Sequence, residues 1–141
     1  MNIMILNGPN LNKLGTREPS IYGSETLEDI KTELEKENGK LDFRQTNSEA
    51  QMIDWVHEAL DSNSHIIMNP AAFTHYSYAL ADACAMLKDK NLKLIEIHLS
   101  NPHAREDFRR NSVISPVATG TIAGFGKDSY RLALNLLHNK L

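Results

Sequence analysis

A lone cysteine, Cys84, among 141 residues leaves no partner within the chain for a disulfide and no ligand set for a Cys-rich zinc module. The fold must hold by its core alone, and a reducing compartment is its natural setting. Basic residues are not concentrated either: 15 Lys and Arg against 18 Asp and Glu give a net charge of -3, and no Lys/Arg block supplies the electrostatic footprint of a nucleic-acid binder. Nowhere does an apolar run approach the ~20 residues of a membrane span, and Met1 to Leu6 carries neither a basic leader nor a signal-length apolar stretch. A soluble, cytoplasmic protein with no nucleic-acid or membrane partner is expected. Low-complexity linkers, repeats and charge blocks are missing too, so residues 1–141 read as a single domain. A chain of this length buries roughly two thirds of its unfolded surface, enough for a core without staples.

What the chain does contain is one recurring unit, a short apolar run followed by an amphipathic segment. Strands are expected at Asn2 to Leu6, Leu41 to Thr46, His65 to Met68, Leu92 to His98 and Val117 to Ile122. Each is too short for a helix, and most are rich in Ile, Val, Leu or Met in the manner of buried parallel strands. Between them Leu27, Ile30 and Leu34 share a helical stripe, with Thr26 as N-cap and Gly39 as stop. Ser48 with Gln51 reads as a capping box before Ile53, Val56 and Leu60. Ser77 caps a helix through Leu80, Cys84 and Leu87, and Leu132, Leu136 and Leu137 mark a terminal helix. Strands interleaved with helices predict an α/β fold: a flavodoxin-like, doubly wound, five-stranded parallel sheet with helices on both faces. Ligands in that architecture sit beyond the carboxyl ends of the strands, which directs attention to the loops after Leu6, Met68 and His98.

The first of these loops, Asn7 to Gly23, far exceeds the usual ~2–6 residues of a βα connection and reads as a lid or binding loop. It sets Arg17 near Tyr22, and a cation can hold a phenol of pKa ~10 as phenolate and thus as base. A surface arginine and a packing tyrosine is the plainer alternative. The second loop, Asn69 to Ser77, offers Asn69 and His75 as neutral hydroxyl-binding groups, or His75 as a capping residue. Asp82 lies two turns further along the same expected helix and extends that polar face or is solvated. In the third, period two sends Glu96 and His98 to one side of the strand end. A carboxylate beside an imidazole fixes its tautomer and favours its protonated form, as a general acid requires, although an ordinary strand-end ion pair fits equally. The backbone N–H groups of Leu99 and Ser100 can receive a carboxylate, and of Arg105, Arg109 and Arg110 one can reach inward. There is no compact His/carboxylate ligand cluster; His98 and His103 come nearest to one, and no metal is expected.

Taken together, three stretches carry a family resemblance: Asn-Leu-Asn-x-Leu-Gly-x-Arg-Glu-Pro-x-x-Tyr-Gly (Asn10 to Gly23), Asn-Pro-Ala-Ala-Phe-Thr-His-Tyr-Ser (Asn69 to Ser77) and Glu-Ile-His-Leu-Ser-Asn-Pro-His-Ala-Arg-Glu (Glu96 to Glu106). With Asn47 to Gln51 and Ser115 to Gly120 in matching order, the chain resembles the type II 3-dehydroquinate dehydratases along essentially its whole length. The resemblance implies a flavodoxin-like hydro-lyase without cofactor or metal. Its reaction is the reversible loss of water from 3-dehydroquinate through an enolate, giving 3-dehydroshikimate in the shikimate route to aromatic amino acids. By resemblance, Tyr22 is the base at C2, Arg17 lowers its pKa, His98 protonates the departing C1 hydroxyl and Asn12 positions a water at the enolate oxygen. Asn69, His75, Asp82 and Arg109 hold the ring, the backbone of Leu99 and Ser100 takes the carboxylate, and Glu96 orients His98. It further implies trimers assembled into a homododecamer, with a neighbour's Asp82 region completing each site. Departures are small: Ala71 stands where Gly is also common, and Tyr78 and Ala81 are variable positions.

The reaction the resemblance implies suits such residues, since elimination β to a ketone needs a base, an acid on the other side of the ring, and dipoles at the developing oxyanion. The alternative is a binding or signalling module on the same fold, a flavin carrier or a phospho-acceptor receiver, which fold alone never excludes. A receiver should carry an acidic pair after the first strand and an acceptor Asp after the third, where this chain has Asn7-Gly8-Pro9-Asn10 and Asn69-Pro70. Only Lys127, after the fifth strand, speaks for it. A lysine Schiff-base route on a (β/α)8 barrel requires ~250 residues, and among the motif positions the one lysine is Lys13.

Overall fold

A computed structural model describes residues 1–16 and 18–141, and residue 22 by its backbone alone. Five strands, β1 (Asn2–Asn7), β2 (Asp42–Gln45), β3 (Ser64–Asn69), β4 (Leu94–His98) and β5 (Gly120–Ala123), form one parallel sheet in the order β2-β1-β3-β4-β5. This is the flavodoxin-like order, and its topological switch point lies between β1 and β3. The helices are α1 (Pro19–Tyr22), α2 (Leu27–Asn38), α3 (Glu49–Ser62), α4 (Tyr78–Ala85) and α5 (Asp128–Leu137).

The central strands are buried on both faces, so alternate residues feed two cores. Met4, Leu6, Ile66, Met68 and Leu94 pack with Met52, Val56 and Ala59 of α3 and with Leu80, Ala83 and Cys84 of α4. Ile5, Ile67, Ile95 and Ile97 pack with Ile30 and Leu34 of α2 and with Tyr130, Ala133, Leu134 and Leu137 of α5. Thr26 caps α2 and Gly39 stands at its C-cap at φ 75, as expected, and the Asp29 side chain returns to the cap N–H to complete a capping box that the pattern does not indicate. Ser48 accepts from the Gln51 N–H, but the Gln51 side chain is turned to the Thr46 hydroxyl instead of returning to the cap. That box is half formed.

Several expectations are corrected. The strand expected from Val117 begins at Gly120, because Pro116 lacks an N–H and Ser115–Val117 closes a 3-10 turn. Leu92 lies before β4, its N–H bound to the Leu87 carbonyl. The terminal helix exists, but Leu132 and Leu136 are exposed and the buried stripe runs through Ser129, Tyr130, Ala133, Leu134 and Leu137. Its rotation is fixed by the fully buried Tyr130, whose hydroxyl donates to Asn7 Oδ1 at 2.5 Å. The connection after β1 is not all loop: a 3-10 turn at Leu11–Lys13 drives Leu11 and Leu14 into the second core.

Candidate active site

At the carboxyl ends of β1, β3 and β4, beside the switch point, lies a cavity of about 150 Å3. Three crossings assemble it. After β1, Gly8 donates its N–H to the Asn69 carbonyl at 2.8 Å, and the chain turns through Asn10 at φ 69, whose N–H is held by Asn47 Oδ1. After β3, Asn69 is buried and its Oδ1 accepts the Ala71 N–H at 3.2 Å, steadying a turn in which Ala71 itself sits at φ 51. After β4 come His98, Leu99 and Ser100, followed by a short 3-10 turn and the arginine-bearing segment to Arg110.

The lining includes Asn69, His75, His98, Leu99, Ser100, Arg105 and Arg109, with Asn10, Leu11 and Phe108. No carboxylate is among the described residues that line it, whereas two guanidiniums and two imidazoles are. Such a wall favours a small anion. The volume lies well below the ~300–1,000 Å3 of pockets for drug-sized ligands, which suits a single-ring acid better than a flavin. His75 has its Nδ1 2.8 Å from the Asn111 carbonyl and stacks edge-on against Phe108. Arg109 lies over the Phe108 ring and is paired with Glu106. Arg105 bonds the Ser100 hydroxyl at 3.3 Å and Glu18 at 3.1 Å.

His98 carries its Nε2 2.6 Å from Glu96 Oε2, leaving Nδ1 as the nitrogen free to act. Glu96 is fully buried. Its Oε2 accepts from Thr74 at 2.5 Å and its Oε1 from Ser115 at 2.5 Å, with the Ser112 hydroxyl at 3.3 and 3.4 Å. Burial pushes this carboxyl up, but the hydrogen bond and charge of His98 and the Ser115 and Thr74 hydroxyls outweigh it and hold the group below its ordinary value. A buried, ionised carboxylate is thus fixed against an imidazole at a cavity wall, the arrangement that prepares a general acid.

The other expected residues fall as follows. Asn69, His75, His98, Leu99, Ser100 and Arg109 are brought together at the cavity, with Glu96 directly behind. Asn12 lines a separate depression with Thr26, Lys31 and Arg44. Asp82 is exposed on α4 and does not line the cavity. Nor does it share a helix with His75: the 3-10 turn Ala71–His75 ends at Tyr76, Ser77 caps anew and α4 starts at Tyr78, so the two-turn alignment is lost. The expectations for Arg17 and for the Tyr22 side chain lie outside the described residues. Lys127 is engaged by Glu25 at 2.8 Å and Glu33 at 2.9 Å. Sequence reasoning missed the roles of Thr74, Ser112 and Ser115, and left open that Arg105 as well as Arg109 faces the cavity. Two hydroxyls three residues apart, Ser112 and Ser115, were the visible signal for a polar cluster, but its carboxylate is 16 residues or more away in the chain.

The model of the family Dehydroquinase class II matches residues 1–138. The 3-dehydroquinate dehydratase of Kineococcus radiotolerans is 50% identical, over 100% of this chain and 97% of that one. That of Bacillus licheniformis is 51% identical over 98% and 96%. Among solved structures, the type II dehydroquinase of Propionibacterium acnes superposes with a TM-score of 0.91 at 46% identity, over 98% of this chain and 96% of that one.

Proposed function

The chain belongs to the class II dehydroquinase family, and from that premise we propose that it is a hydro-lyase that removes water from 3-dehydroquinate to give 3-dehydroshikimate, without cofactor, as a step of the shikimate pathway. The observation that carries the reading is the small cavity free of carboxylates among its described lining, with two guanidiniums and the Glu96-held His98 on its wall. The substrate is a one-ring carboxylic acid, and its anion suits that field.

In this reading the Tyr22 phenolate, kept ionised by Arg17, takes the proton from C2. The electron pair becomes an enolate on the neighbouring carbonyl oxygen, steadied by a water, the role the family resemblance gives to Asn12 although that residue lines the separate depression here. The enolate then collapses, the C1–O bond breaks, and His98 Nδ1 delivers the proton that makes the leaving group water. An acid is needed because hydroxide is a poor leaving group, and Glu96 supplies it by holding an imidazolium in place. The backbone at Leu99 and Ser100 receives the substrate carboxylate, while Asn69, His75 and Arg109 hold the ring. Asp82, exposed on α4, serves a neighbouring protomer in a homododecamer of trimers. Residues 1–141 act as one catalytic domain in the cytoplasm.

Tyr22→Phe is the test. It removes the base without changing the ring, so turnover should fall by the ~10²- to 10⁴-fold that a proton-transfer group supplies, with substrate binding retained. Turnover near that of the parent enzyme would remove Tyr22 from the role.

A further inference from the structure

We propose that Ser115, Thr74 and Ser112 are positioning residues, a directed cage of hydroxyls that holds Glu96 as a carboxylate and so keeps His98 in place as the acid when the pH falls. The inference rests on the role given to His98 above.

The direction of the hydrogen bonds carries it. The Ser112 oxygen accepts the backbone N–H groups of Ile114, at 3.2 Å, and Ser115, at 2.9 Å. With both lone pairs taken, Ser112 can only donate, and its short neighbour is Thr74 Oγ1 at 2.6 Å. Thr74 must then give its own proton to Glu96 Oε2 at 2.5 Å. On the other side, Ser115 gives its proton to Oε1 at 2.5 Å, while its oxygen takes the Thr121 hydroxyl at 3.4 Å. Every proton in the cage therefore points toward the carboxylate. A proton on Oε2 would reverse the Thr74 bond and press a third donor on the Ser112 oxygen; a proton on Oε1 would turn the Ser115 hydroxyl away. Both neutral forms break the network, and the backbone N–H groups at one end fix its sense.

The charged and titratable groups around Glu96 come from several elements. His98 shares its strand. Cys84 of α4 stands on the core side, its thiol pushed up to about 12 by burial and by the Glu96 charge. His103, Arg109 and Arg110 line the small hydroxyl-rich recess on the far side of the Glu96–His98 pair. Arg109 and Arg110 are paired with Glu106 and Asp107, so the hydroxyls and His98 are what act on the Glu96 charge.

The sign follows from the states of the pair. Deleting a hydroxyl destabilises every state in which Glu96 is charged. The step that protonates Glu96 thus moves to higher pH. Ser115→Ala should therefore raise the Glu96 carboxyl midpoint by about one to two pH units, from the usual strength of a hydrogen bond to a charged group, and the ratio of its kcat to the parent's should fall as pH drops through that raised midpoint, since protonation of the Tyr22 base is common to both enzymes and cancels in the ratio. Thr74→Val should do the same, and Ser115→Thr, which keeps the hydroxyl, should restore the ratio.

The experiment follows the Glu96 carboxyl by 13C NMR in full-length enzyme labelled at glutamate, alongside the ratio of each variant's kcat to the parent's as a function of pH, for Ser115→Ala, Thr74→Val and Ser115→Thr. A carboxyl midpoint that rises in the two deletions, with a kcat ratio that falls through the same pH interval and both reversed in Ser115→Thr, supports the proposal. Folded deletions whose carboxyl midpoint stays with the parent overturn it. A midpoint that rises while the kcat ratio stays flat with pH keeps the cage around Glu96 but overturns both its link to turnover and the reading of His98 as the acid.

Discussion

Gly8→Ala tests how the site's walls are spaced. Gly8 follows β1 at the switch point, and an added Cβ there would lie 2.5 Å from the Pro70 carbonyl oxygen, 2.8 Å from its carbon and 3.2 Å from the Asn69 oxygen. These are backbone atoms, which no rotamer change can withdraw. Reaching ordinary contact at 3.4 Å needs a retreat of about 0.9 Å by one crossing or the other, and the Gly8 N–H bond to Asn69 opens with it. Overpacking of this kind costs about 1–3 kcal/mol, which at this chain length lowers Tm by roughly 3–12 °C. The displaced crossing carries Asn69 and the Ala71 turn while His98 stays on β4, so the hydroxyl-holding group moves relative to the acid. Misplacement near 1 Å costs up to ~10²-fold, and kcat/KM should fall by about 10- to 100-fold. Thermal denaturation followed by circular dichroism and steady-state kinetics on 3-dehydroquinate read both effects. A variant with the parent's Tm and kcat/KM would show that the close approach does not hold the cavity.

Ala71→Gly, in the same crossing, should behave in the opposite sense. Ala71 sits at φ 51, a region that costs an L side chain about 1–2 kcal/mol, so glycine should leave Tm unchanged or raise it by a few degrees; a clear fall in Tm would refute the strain. His65 and Glu96 predict acid sensitivity. Burial, then Lys93 and the terminal amine, push the His65 imidazole below its ordinary value, so its contribution to stability is present at neutral pH and declines as pH falls below about 6.5. Glu96, held down in the folded chain, adds a second decline as pH falls through its folded value. Urea midpoints should therefore drop from pH 7 to 5.5, and His65→Gln should flatten that interval; an unchanged slope in the variant contradicts the first contribution.

The parts of the fold legible in the sequence are those fixed by local chemistry. Thr26, Ser48, Ser77 and Gly39 are caps that act within a few residues, and they stand where the pattern puts them. The parallel, helix-covered sheet followed from the alternation of strands and helices, and its order from the flavodoxin-like arrangement that the chain length suggested. The errors lie where a long-range bond overrides a local pattern. Tyr130 reaches Asn7 across 123 residues and turns α5 so that Leu132 and Leu136 face out. The His75 ring is drawn to the Asn111 carbonyl, 36 residues away, and the chain breaks before α4. Likewise the Glu96–His98 pair was visible from period two within one strand, whereas its hydroxyl donors come from residues 74, 112 and 115 and converge only in the folded chain. Six of the expected ring- and carboxylate-binding or acid residues share one cavity because they end β3 and β4 or lie on the crossings that leave them; Asn12, within a turn whose leucines enter the core, opens onto another depression.

The central claim is that His98, held by Glu96, supplies the leaving-group proton. It is tested most directly by adding parent enzyme and His98→Asn to 3-dehydroquinate and following the ultraviolet absorbance of the conjugated enone. The account predicts enone growth with the parent and at least a ~10²-fold slower rise with the variant; equal rates would contradict it.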